Sequence, residues 1–274
     1  MADDPVGVVA AEAELLRRID TSVPHIARVY DFLLGGRDNF AVDREAGARA
    51  ADANPALLQG VLGNRAFLAR AVRCLATECG IRQFLDIGTG IPAAANTHEV
   101  AQQAAPGSRV VYVDNDPIVL VHARALLTGG SGPIAYLEAD VRDTARLLGA
   151  AAATLDFAEP IAVMMILLLH CVPDSDDPWA LVRELMDAVP AGSYLAITHP
   201  TSDFHPQYAD EMVSRLNEMM PRQLTFRPRE QVLAFFDGLE LAEPGLVRAP
   251  QWRPDSRGTA ANPAQLWAGV ARKP

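Results

Sequence analysis

The chain has 274 residues, half of them hydrophobic and 21% charged, with a formal net charge of −10. That length and balance suit one large α/β domain, or a core with a small helical attachment, and provide enough apolar residues for a sizeable core. The charge argues against a nucleic-acid partner, whose phosphates call for a basic footprint; Lys273 is the one lysine and no Lys/Arg-rich run occurs.

Residues 1–20 are expected to form a flexible N-terminus. They begin acidic and lack the basic region and apolar block of an export signal, which points to a cytoplasmic protein. Asp20-Thr21-Ser22 before Val23-Pro24 reads as a helix start, a hydroxyl cap followed by a proline in the first turn. Ile26, Val29, Tyr30, Phe32 and Leu33 follow at helical spacing, and Gly35-Gly36 ends the run. A second helix begins near Asn39 or Asp43, and a third runs from about Pro55 to Cys79. Residues 21–80 are thus read as an N-terminal helical cap or lid, ahead of a core spanning 81–274.

In that core, short apolar strands alternate with helices: Gln83 to Ile87, Arg109 to Val113, Ile134 to Leu137, Ile161 to Leu169 and Ser193 to Thr198. The longest apolar run, Ile161 to Leu169, is far short of the roughly 20 residues a membrane span needs, so no membrane association is expected. Helices fit between the strands, one opening at Pro117 and running through Val119, Leu120 and Leu126, another from Pro178 to Val189. Such alternation requires crossover connections and predicts a mostly parallel sheet covered on both faces. Two further strands, Leu239 to Val247 and Leu266 to Ala271, are placed to pair antiparallel at one edge. Cys74, Cys79 and Cys171 form neither a CxxC pair nor a metal-ligand spacing with the six histidines, so neither a disulfide nor a metal centre is expected.

The stretch Phe84-Leu85-Asp86-Ile87-Gly88-Thr89-Gly90-Ile91-Pro92 reads as strand, glycine turn and helix, a context in which the backbone approaches a ligand closely. Gly88 and Gly90 alone do not separate a dinucleotide from an adenosyl ligand. Pro92, placed in the first turn of the following helix, removes an N–H that a pyrophosphate would use. Asp86, at the mouth of the strand, would repel a pyrophosphate but stabilise a ligand carrying an ammonium and a sulfonium; its bland alternative is a cap on its own turn. Asp114 ends the second strand, where a carboxylate accepts from ribose hydroxyls. Asp116, just before Pro117, is the better helix cap. Asp140 ends the third strand, where it could accept from an adenine amino group while the Val141 N–H donates to the ring; otherwise it is a solvated turn.

The order DIGTG, VDNDP, EADVRD and an apolar fourth strand resembles the class I S-adenosylmethionine-dependent methyltransferases. The segment from Pro24 to Asp43, PHIARVYDFLLGGRDNFAVD, resembles more specifically the actinobacterial S-adenosyl methyltransferase family, formerly a domain of unknown function. The resemblance runs from about Thr21 to the end. It implies a Rossmann-like fold of seven strands with the last antiparallel, and S-adenosylmethionine as cofactor. Asp86, Gly88, Thr89 and Gly90 would then surround the methionine moiety, Asp114 and Asn115 the ribose, and Asp140 and Val141 the adenine. It brings no acceptor with it.

The N-terminal segment could fold over the cofactor, with Tyr30 and Arg37 reaching the methionine carboxylate and Asn39 orienting a substrate; equally, it could be a plain helical cap with Arg37 and Asp38 solvated. Methyl transfer is an in-line displacement in which a base removes a proton when the nucleophile needs it. His170 and His199, at the carboxyl edge of the fourth and fifth strands, are the candidate bases, with Tyr208 near the substrate. The leading expectation is a methyltransferase acting on a small-molecule acceptor. A non-catalytic S-adenosylmethionine-binding module is the alternative, and an NAD-dependent oxidoreductase the third.

Overall fold

In a computed structural model describing residues 19–119, 121, 130–255 and 262–274, the alternating runs form one eight-stranded sheet. Strands β1 (Gln83–Ile87), β2 (Arg109–Asp114), β3 (Ile134–Glu138), β4 (Ala162–Ile166) and β5 (Tyr194–Pro200) are parallel. Three strands complete it: β6 (Glu240–Leu241), β7 (Val247–Arg248) and β8 (Leu266–Arg272). The spatial order is β3-β2-β1-β4-β5-β8-β6, with β7 also on β8, and β8 runs antiparallel to β5 from Tyr194↔Arg272 to Pro200↔Leu266. This is the mostly parallel Rossmann-like sheet with an antiparallel edge that the alternation implies.

The strand count exceeds seven because the single strand expected from Leu239 to Val247 is divided. Between β6 and β7 the chain turns, Gly245 N–H donating to Ala242 O at 2.8 Å with Gly245 at φ +86°. Pro244 has no N–H to give a ladder.

Alternate strand residues feed two cores, as the period of two requires. Leu85, Ile87, Val111, Val113, Val163 and Met165 point to one, and Phe84, Val110, Tyr112, Ala162 and Met164 to the other. Helices α1 (Ile26–Leu33), α2 (Ala41–Ala53) and α3 (Leu57–Thr77) precede the sheet, and α4 (Thr97–Ala104), α5 (Thr144–Ala151) and α6 (Pro178–Asp187) lie between its strands. Phe67, Leu68, Ala71, Val72 and Leu75 of α3 belong to the second of these cores. By contrast, Val29, Ala46, Ala50 and Ala53 of α1 and α2 meet Met212 and Leu216 of α7 (Pro206–Asn217), which follows β5.

Several boundaries move for identifiable reasons. Asp20 accepts from the N–H and hydroxyl of Ser22 instead of starting a helix, and α1 begins only at Ile26, with His25 as its cap. Its end is as the sequence implies: Gly35, at φ +79°, donates to Phe32 O, and Gly36 to Asp31 O. Pro92 is not in the first turn of a helix, because α4 starts at Thr97 behind a capping box of Asn96 and Glu99. The segment from Gly88 to Asn96 is irregular. β4 stops at Ile166, because Leu167 adopts φ +53°, its N–H shared between Thr198 Oγ1 at 2.9 Å and Thr198 O at 3.2 Å; a 3₁₀ turn, Leu169–Cys171, follows. Pro117 opens a helical turn capped by Asp116 Oδ1, which accepts from Ile118 N–H at 3.0 Å. Its expected continuation through Leu120 and Leu126 lies outside the described residues, as does the expected loose N-terminus up to residue 18.

Candidate active site

Parallel strands end together, and the crevice outside their carboxyl ends is where open α/β sheets bind ligands. Here that crevice is a cavity of about 480 Å³. It is lined by the turn after β1, by the ends of β2 and β3, and by residues of α1, α2, α3 and α7. Within the described residues no helix is long and apolar enough to cross a membrane, and no group of His, Cys, Asp and Glu is arranged to hold a metal.

The turn is locked to its neighbour: Gly88 and Thr89 both donate to Val113 O of β2, at 2.7 and 3.2 Å. Gly88 and Gly90 stand at φ +71° and +66°, where a side chain is strained. A Cβ on Gly88 would lie 2.6 Å from Leu168 Cδ1, whereas one on Gly90 would meet only Ala27 Cβ at 3.8 Å. The backbone at Gly90 is therefore open to a ligand.

Three acids ring the turn. Asp86 is buried, with Oδ2 accepting from Thr97 Oγ1 at 2.5 Å, and burial pushes its carboxyl up to about 6. Asp114 accepts from Gly90 N–H at 2.8 Å and from Asp116 N–H at 2.9 Å, one bond per oxygen. Burial raises its pKa and the two N–H donors oppose the rise. Asp140 is gripped by Arg142, which also reaches Asp176 at 3.2 Å; the Arg142 hydrogen bond holds its carboxyl below the usual range. Thr89, Asn115 and Val141 line the same cavity.

A cation enters from α3. Arg65 donates through Nη2 to Ala94 O at 2.7 Å and Ala95 O at 3.2 Å, while its Nε is buried without a partner. It lines the cavity and is close enough to Asp86 to lower that carboxyl's pKa. A buried acid beside a guanidinium with an unspent N–H fits the ammonium and carboxylate of an amino acid. Each oxygen of Asp114 keeps a lone pair for a hydroxyl. These features fit an adenosyl amino acid with no pyrophosphate. Arg65 escaped the sequence reading because it belongs to no motif. The available signal was its position in line with Val61, Leu68 and Val72, an otherwise apolar helical stripe.

The other sequence candidates separate. Tyr30 lines the cavity, but its hydroxyl lies 3.3 Å from Val61 O and accepts from Asn64 Nδ2 at 3.0 Å. Asn64 in turn accepts from Thr198 Oγ1 at 2.7 Å, tying α3 to β5. Arg37 is exposed in the loop after α1 and does not line the cavity. Asn39 also lies outside the lining, donating to Asp31 Oδ2 at 2.8 Å and Gly36 O at 3.1 Å. Tyr208, 40% exposed on α7, is likewise outside it.

The two histidines differ. His199 lies within β5 and is fully buried away from the cavity. Arg227 Nη1 faces its Nε2 at 3.1 Å, and arginine has only donors, so Nδ1 carries the hydrogen and donates to Pro200 O at 2.8 Å. His170, in the 3₁₀ turn, does line the cavity; its Nδ1 is buried without a partner, and Nε2 lies 3.6 Å from Cys171 Sγ. Burial, with the Arg227 charge, lowers it to about 4, so the ring is neutral near pH 7. Arg227 fixes this turn, donating to Leu169 O and Val172 O at 2.7 Å each and pairing with Asp174.

A family model described as S-adenosyl methyltransferase matches residues 12–274. A solved structure of a DUF574 family protein from Streptomyces avermitilis superposes with a TM-score of 0.90 at 44% identity, covering 94% of this chain and all of that one. A Thermobifida fusca protein described as a methyltransferase gives 0.85 at 40% identity, covering 93% of this chain and 96% of its own. A methyltransferase from Anabaena variabilis, at 13% identity and a TM-score of 0.50 over 73% of this chain and 80% of that one, shares the fold. No curated protein matches the chain. The family decides the cofactor for S-adenosylmethionine and against NAD.

Proposed function

Because this chain belongs to the S-adenosyl methyltransferase family, we propose that it methylates a hydroxyl or amine of a small, apolar-bodied molecule enclosed in the cavity. The observation that carries this reading is the lining of the cavity. The glycine turn and the ends of β2 and β3 suit the cofactor, while α1, α3 and α7, with the segment after α7, present Leu33, Leu57, Met212, Leu216, Met220 and Phe226, an apolar seat for the body of an acceptor.

S-adenosylmethionine, when bound, would supply an electrophilic methyl on a sulfonium, transferred in line to the nucleophile with S-adenosylhomocysteine as the leaving group. The chain's own groups account for the rest. Asp86 and Arg65 take the ammonium and carboxylate, Asp114 the ribose hydroxyls, and the end of β3 the adenine. The negative charge of Asp86 favours a cationic donor. His170, neutral and with one ring nitrogen unspent, holds the hydrogen of the attacking heteroatom. The cap and α7 exclude water from the nucleophile's seat.

A crystal structure with S-adenosylhomocysteine tests this. The space beyond the sulfur should open onto His170 and α7. A sulfur sealed behind apolar side chains, with no route for a second molecule, would overturn the reading in favour of a non-catalytic binding module.

A further inference from the structure

Two asparagines in the cavity wall spend their amides within the chain. Asn64 bonds Tyr30 and Thr198, and Asn54 accepts from Ala56 N–H at 3.0 Å with its Nδ2 against Met212 Sδ. Gln265 does not. It lines the same cavity and is only 7% exposed, yet neither its Oε1 nor its Nε2 has a partner. A buried carboxamide with both functions unspent is costly, and native chains tolerate one where something outside the chain completes it.

Its place in the sheet says what that something is. Gln265 immediately precedes β8, and its carbonyl accepts from Thr201 N–H, just beyond β5, at 3.3 Å. Counting along the sheet from the glycine turn on β1, the next strands are β4, β5 and β8. His170 follows β4 and Gln265 borders β5 and β8, so both stand on the far side of the turn from the β2 and β3 ends that carry Asp114 and Asp140.

We propose that Gln265 selects the methyl acceptor, its carboxamide pairing with a planar group that presents an acceptor and a donor side by side, a lactam or carboxamide edge on an apolar body. This rests on the enclosed-acceptor reading above. A carboxamide offers both a lone pair and an N–H in one plane, and a cyclic amide is its complement. His170 provides the second polar point, at the group to be methylated.

The test uses wild type and Gln265→Met, each saturated with S-adenosylhomocysteine, titrated with 2-quinolone, N-methyl-2-quinolone and naphthalene and followed by ligand-observed NMR. Wild type should bind 2-quinolone at least about tenfold more tightly than its N-methyl form, the cost of stranding one buried hydrogen-bonding group. Gln265→Met should abolish that preference, leave S-adenosylhomocysteine affinity unchanged and melt no lower than wild type, since it removes no internal bond. Equal binding of all three compounds by wild type, or a preference that survives the substitution, overturns the inference alone. Weaker S-adenosylhomocysteine binding by Gln265→Met also overturns it, moving Gln265 to the cofactor's end. Failure of all three to bind the loaded protein overturns the enclosed-acceptor reading and this inference with it.

Discussion

Replacing Arg65 by Met separates the methionine end of the cofactor site from the rest. Arg65 does two things: Nη2 tethers α3 to Ala94 and Ala95, and its guanidinium, with a buried, unpaired Nε N–H, brings a positive charge to the cavity wall near Asp86. Losing the tether loosens the segment after the glycine turn and weakens any adenosyl ligand. Losing the charge removes a charge-assisted hydrogen bond to the carboxylate, worth about 1.5–3 kcal/mol, or roughly ten- to 150-fold in affinity. 5′-Methylthioadenosine has the adenosine and sulfur of S-adenosylhomocysteine but no amino-acid group, so it feels only the first effect. Calorimetric titration of both ligands into wild type and Arg65→Met should therefore give an extra loss of that size for S-adenosylhomocysteine. Equal losses for the two ligands, or none for either, would refute the assignment.

Asp86 sets a pH limit. With its carboxyl near 6 in the free protein, protonation on acidification removes the charge that faces a cationic ligand. S-adenosylhomocysteine binding should then be constant above about pH 7 and weaken by about tenfold from there to pH 5; Asp86→Asn should bind weakly at both, and an unchanged pH profile in that variant would count against the role. The two glycines should respond unequally. Gly88→Ala drives a Cβ to 2.6 Å from Leu168 on top of its backbone strain, and Gly90→Ala bears the strain alone. Urea unfolding should show a loss of about 1–2 kcal/mol for the second and clearly more for the first; similar losses would show that Leu168 yields freely. His170 should make the protein acid-sensitive. Its folded pKa, about 4, lies below the ordinary 6.5, so the unfolded chain takes the proton first. Its contribution to stability is intact above about pH 6.5 and is lost as pH falls toward 4, by about 3 kcal/mol. In His170→Gln the drop in urea midpoint between pH 7 and pH 4.5 should be smaller than in wild type.

The sheet was legible because its strands are short, apolar and bounded by turn residues, and the acids at their ends fall at fixed places once β1 and β2 are read in parallel. Asp86 and Asp114 line the cavity for that reason. What could not be read is which way a side chain turns outside a periodic element. Arg37 and Asn39 sit in a loop whose direction depends on the two glycines and on Asp31, whose carboxylate collects the Asp38 N–H and the Asn39 amide. His199 looked like a strand-end residue, but β5 runs two positions beyond Thr198, so strand alternation points Thr198 toward Asn64 and His199 toward Arg227 and Phe235. Arg65 and Gln265 carry no local pattern at all; they matter because distant segments leave their polar atoms unanswered.

The pairing of α2 with α7 also has a consequence for synthesis. Ala53 ends α2 and Pro206 begins α7, so 153 positions separate these two helices that line the cavity together. As the chain emerges, Val29, Ala46, Ala50 and Ala53 cannot meet Met212 and Leu216 until β1 to β5 have been made and α7 follows. Contacts this distant in sequence close late, because the entropy of the intervening loop must be overcome first. The part of the cavity lined by α3, the ends of β1, β2 and β3 and the turn after β1 can thus assemble on the nascent chain well before α7 completes the lining.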